Sequence, residues 1–80
     1  MSKPLRIKIS ADEDTSFTVM FEPLGMDYDL GPGEWMYAEV QAMEAAEMEI
    51  IQWEGGMSIL PPGTVRTFNA AGEFLHELHN

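Results

Sequence analysis

Residues 43–56 read MEAAEMEIIQWEGG, and their conformation separates two folds for the whole chain. As a helix, the stretch is the end of a segment running from Glu34 to Glu54. Met36, Val40, Met43, Ala46, Ile50 and Trp53 then recur at spacings of four, three, three, four and three, an unbroken apolar stripe. Alanine, glutamate, glutamine and methionine favour helices, and Gly55 stands where a C-terminal glycine cap belongs. As strands, the same residues divide differently. Met36, Ala38, Val40 and Ala42 form one face of a first strand, and Glu44-Ala45-Ala46-Glu47 is a loop. MEIIQW (48–53) is then a second strand, turning at Glu54-Gly55-Gly56. Ile50, Ile51 and Trp53 suit a strand as well as a helix end.

The flanking sequence favours strands. Upstream, LRIKIS (5–10) alternates without a break, with Leu5, Ile7 and Ile9 on one face. FTVMF (17–21) is rich in β-branched and aromatic residues and is broken by Pro23 and Gly25. MDYDL (26–30) alternates again, with Met26, Tyr28 and Leu30 inward and Asp27 and Asp29 outward, before a turn at Gly31-Pro32-Gly33. Downstream, MSIL (57–60), TVRTF (64–68) and FLHEL (74–78) are separated by PPG (61–63) and NAAGE (69–73). This rhythm predicts an all-β domain, a small sandwich or barrel of about six to seven short antiparallel strands. The alternative is an α+β fold with a helix at about 34–54.

The turns carry a resemblance. LGPGE (30–34) resembles the L-x-P-G-E turn that opens a strand in many Ig-like and jelly-roll sandwiches. The run EIIQW-EGG-MSIL-PPG-TVRTF-NAAGE-FLHEL is similar to small uncharacterised bacterial β-proteins built from successive hairpins. The resemblance covers roughly the last half of the chain. It implies a fold and no activity.

The 80 residues make a single expected domain, 1–80. A chain of this size buries only about 60% of the surface its unfolded form exposes, so its core is thin. There is no cysteine, which removes disulfides and thiol chemistry and fits a cytoplasmic location. MSKPLRIKIS has no signal-peptide pattern, and no apolar run is long enough to span a membrane. The expectation is a soluble cytoplasmic protein.

Charge is the most unusual global property. The formal net charge is −10, from 14 carboxylates against Lys3, Arg6, Lys8 and Arg66. Between Ala11 and Val65 no lysine or arginine occurs. Such a surface repels phosphate, so neither direct nucleic-acid binding nor an anionic membrane is expected. A basic protein partner, a hard cation or solubility alone would account for it.

Chemistry-bearing motifs are sparse. Asp12-Glu13-Asp14 lacks the glycine and downstream glutamate of a calcium loop and reads as a solvated turn. Asp27 and Asp29 share a strand face about 7 Å apart, where a cation could bridge them. His76 and His79 are the residues suited to a transition metal, but in a strand they point to opposite faces. These four are metal candidates without a complete ligand set, and no cofactor is expected. Ser10, Ser16 and Ser58 sit in no nucleophile-elbow context, and Gly31-Pro32-Gly33 cradles no phosphate. A non-enzymatic role follows as the expectation.

Trp35, Tyr37 and Trp53 point elsewhere. In a strand Trp35 and Tyr37 share a face with Glu39, and aromatics beside acids suit an interface centre as well as a buried core. Trp35, Tyr37, Glu39 and Trp53 are therefore the candidate interaction patch. The expected function is a non-catalytic acidic module binding a basic protein partner in an inhibitory, immunity-type or assembly role. The alternatives are a small metal- or ligand-binding β-barrel and a homo-oligomer formed through a sheet edge.

Overall fold

The computed structural model describes residues 3–41 and 46–79. Among them there is no helix; eight strands form two four-stranded sheets, so the chain is an all-β sandwich. The strands are β1 (Leu5–Ser10), β2 (Phe17–Phe21), β3 (Met26–Leu30), β4 (Trp35–Val40), β5 (Glu49–Trp53), β6 (Gly56–Leu60), β7 (Val65–Phe68) and β8 (Phe74–Leu78). One sheet has the order β1-β4-β7-β8, the other β3-β2-β6-β5.

The stretch that was ambiguous in sequence is resolved by pairing. β4 is bonded on both edges, to β1 from Leu5↔Val40 to Ser10↔Trp35 and to β7 from Tyr37↔Phe68 to Val40↔Val65. β5 pairs antiparallel with β6 through a two-residue turn, Glu54-Gly55, with Gly55 at φ +86°. A helix over 34–54 could satisfy its own backbone but would leave β1, β6 and β7 without those partners. Ala42, Met43, Glu44 and Ala45, part of the expected strand face and loop, lie outside the described residues. The count of eight strands exceeds the six to seven expected, and one pair, β2 with β6, is parallel rather than antiparallel. The parallel pair arises because the chain crosses to the other sheet and back between β2 and β6, so β6 arrives in the direction of β2.

Alternation then builds the core. Ile9, Val19, Phe21, Met36, Ala38, Val40, Ile59, Val65 and Leu78 are buried between the sheets. Ala38 lies between Ile7 and Thr67 across its sheet and is fully buried in the same core cluster as Val19 and Phe21 of the other sheet. Among the described residues, the one hydroxyl in this layer that is fully buried, Thr67, is satisfied: its Oγ1 is 2.7 Å from the Tyr28 hydroxyl, which is also 3.0 Å from His76 Nδ1. Tyr28 belongs to β3 and Thr67 and His76 to β7 and β8, so these bonds join the two sheets along one side. Among the described residues no buried side-chain nitrogen or oxygen lacks a partner.

Burial pushes the Tyr28 hydroxyl above the usual tyrosine range, with the Thr67 hydrogen bond acting in the opposite sense. Folding therefore favours the neutral phenol. That stabilisation is complete below the pKa of an unfolded tyrosine, about 10, and is lost as pH rises through the folded value. Urea unfolding should show a loss of stability above about pH 10. Tyr28→Phe should remove part of that alkaline slope and cost about 1 kcal/mol at neutral pH. An unchanged slope would show that the Tyr28 phenol is not held buried in the folded state. Phe21→Ala, which empties the largest fully buried side chain, should cost about 3–5 kcal/mol in the same measurement.

Candidate interaction faces

β4 alternates inward and outward, so Trp35, Tyr37 and Glu39 share the outer face of β1-β4-β7-β8. Their neighbours are basic. The Arg6 guanidinium lies 4.4 Å from the Tyr37 ring centroid, and its Nη1 is 3.3 Å from Glu39 Oε2. The Lys8 ammonium sits 4.9 Å from the Trp35 centroid. Each cation leans diagonally, since the direct partners are Arg6↔Glu39, Lys8↔Tyr37 and Ser10↔Trp35. On the other flank, Arg66 Nε donates to Glu77 Oε1 at 2.8 Å. The Arg66 bond and a weaker one from His79 hold the Glu77 carboxyl below the usual range. Three of the chain's four lysines and arginines thus stand on this face with Glu39 and Glu77. The aromatics are occupied by cations of their own chain.

Trp53 does not join that group. β5 pairs with β6, so Trp53 lies on the outer face of the opposite sheet. The sequence grouped all four aromatic and acidic residues into one patch; the fold separates Trp53 from Trp35, Tyr37 and Glu39 because β4 and β5 enter different sheets. Trp53 Nε1 donates to Ser58 Oγ at 3.2 Å, and its ring lies over Gly56. A Cβ at position 56 would collide with that ring and with the Thr18 carbonyl.

The register shows what surrounds the ring. One row across the sheet runs Asp29, Thr18, Gly56, Trp53, and the next runs Asp27, Met20, Ser58, Ile51. Thr18 Oγ1 donates to Asp29 Oδ1 at 2.8 Å. The face therefore grades from carboxylates on β3 to apolar side chains on β5, where Ile51 is 46% and Trp53 40% exposed. None of its four strands contains lysine or arginine. Asp27 and Asp29 are the aspartates first considered for a cation, and Ile51 was not singled out from the sequence. Its signal was present: Ile51 and Trp53 are two residues apart in a strand and so share a face.

The histidines are kept apart. His76 contacts Tyr28, whereas His79 Nε2 is 2.9 Å from Glu77 Oε2 on the outer face. Among the described residues no group of three or more His, Asp or Glu side chains is placed to hold a metal ion. A cleft of about 790 Å³ lies below Trp35, between β3, the 31–34 turn and the β7–β8 turn, with Leu30, Met36 and Leu75 in its walls. No helix among the described residues is long and apolar enough to cross a membrane. In comparisons with protein families, curated proteins and solved structures, none matches the chain.

Gly56→Ala should displace the Trp53 ring and lose the Ser58 bond. A red shift in Trp53 fluorescence, recorded in a Trp35→Phe background, checks this. An unshifted spectrum would mean that the ring does not rest on Gly56.

Proposed function

We propose that the chain is a non-catalytic interaction module that presents the outer face of β3-β2-β6-β5 to a basic protein surface. The observation that carries this reading is the composition of that face: no cation on any strand, two aspartates on β3, and exposed Ile51 and Trp53 on β5. An apolar centre with a charged margin is the anatomy of a protein interface. The Trp53 ring is already seated by Gly56 and Ser58, so little side-chain freedom is lost on docking. Carboxylates without neighbouring cations steer a positively charged partner and repel nucleic-acid phosphate and anionic lipid. Such a face would serve an inhibitory, immunity-type or assembly role.

Affinity capture from the source organism, with wild-type and variant chains in parallel, tests the proposal. A basic partner should be retained at about 50 mM salt and released at several hundred millimolar, as screening shortens the reach of surface charge. Trp53→Ala should weaken its binding by about 2 kcal/mol, near thirtyfold. Asp27→Asn with Asp29→Asn should mainly slow association. Trp35→Ala, on the opposite face, should leave binding unchanged. A partner indifferent to salt and to both sets of substitutions would overturn the reading.

A further inference from the structure

The sandwich has four edge strands, β1 and β8 in one sheet and β3 and β5 in the other. Three of them carry features that discourage further pairing. β1 follows Pro4 and carries Arg6 and Lys8; β3 carries two charges, Asp27 and Asp29; β8 meets an irregular register at Thr67/Phe68. β5 differs. All five of its residues are exposed, and between Glu49 and Trp53 it has only Ile50, Ile51 and Gln52. Among the described residues no strand lies on its outer side.

The space beside β5 is shaped as well as open. Ile50 faces the interior side, opposite Ile59, yet is 47% exposed. It borders a cleft of about 420 Å³ between β5 and β1, lined by Ile7, Ile9, Phe17, Met57 and Ile59. The Tyr28 bridge closes the opposite side of the sandwich, at β3 and β8, and among the described residues no such bond spans this side. Lys8 and Asp12 also border the cleft, but the Lys8 ammonium is drawn to Trp35 on the far face. Exposed Glu47 and Glu54 flank the strand, and exposed Glu49 is its first residue.

We propose that β5 is a strand-addition site for an extended segment of a basic protein in which apolar residues alternate with lysine or arginine. A strand laid along β5 would complete its backbone hydrogen bonds, and the period of two sends alternate side chains to opposite faces. One set enters the apolar cleft beside Ile50. The other emerges on the acidic face among Glu47, Glu49, Glu54 and the exposed Trp53. A second copy of this chain fits the edge less well, because each copy carries a net charge of −10. The inference rests on the acidic-face reading and adds to it the conformation of the partner.

The test uses isotope-labelled full-length chain titrated with a short peptide of alternating valine and lysine, and with one of the same composition in separate valine and lysine blocks. The alternating peptide should bind, shift the amides of residues 49–53 most, and slow their hydrogen exchange by about tenfold or more. Ile50→Lys, at an exposed position, should weaken that binding by at least about tenfold, and Trp35→Ala should not. Equal binding of the two peptides with shifts centred on Asp27 and Asp29 would overturn strand addition while leaving the acidic-face reading intact. Binding of neither peptide, while a captured partner still depends on Trp53, would do the same. A chain that sediments as a dimer with its β5 amides already protected would also overturn the proposal, with a second copy as the occupant.

Discussion

β4 is hydrogen-bonded along both edges, and that double pairing fixes the rest of the molecule. With β1 on one side and β7 on the other, residues 35–40 must be extended, and their parity is set. Met36, Ala38 and Val40 then have one place to go, the space between the sheets. Trp35, Tyr37 and Glu39 are turned outward, where the alternation of β1 delivers Arg6 and Lys8 to them. A one-residue slip would send the whole apolar set into water. The core and the charge pattern of that face therefore follow from one register.

The same register divides the electrostatics of the chain. Most of its positive charge is gathered on one face, where Glu39 and Glu77 pair with Arg6 and Arg66 and the Trp35 ring lies beneath Lys8. Exposed ion pairs of this kind add little stability. Their consequence is a removal: with Arg6, Lys8 and Arg66 held on one sheet, the other sheet and the turns are left with carboxylates. A net charge that averages over the surface would serve solubility alone. A charge segregated by strand pairing gives the two broad faces of a small sandwich different electrostatic character.

How far this was legible in the sequence depended on range. β1, β2, β3 and β8 have the boundaries their alternation and turn residues predict, because those signals are local. The 34–54 segment was ambiguous for a definite reason. Spacings of four, as from Met36 to Val40, keep residues on one face of either a helix or a strand. Spacings of three do so only in a helix, and Ile50 and Trp53 accordingly part to opposite faces of β5. That Trp35, Tyr37 and Glu39 share a face was legible from parity. That Trp53 stands behind them was not, since it depends on which sheet each strand joins. Arg6 meets Glu39 from 33 residues away, a distance over which no periodicity carries information.

The seating of Trp53 on Gly56 has an evolutionary side. The indole occupies the volume that any side chain at 56 would need, and the Thr18 carbonyl closes the remaining approach. The ring at 53 therefore depends on the glycine, while the glycine is also held by the Thr18 backbone. A lineage that acquires a Cβ at 56 must move both the ring at 53 and the Thr18 backbone, and one that loses the ring still meets the Thr18 carbonyl. The glycine should thus outlast the tryptophan, and descendants that keep Trp53 should keep Gly56 with it.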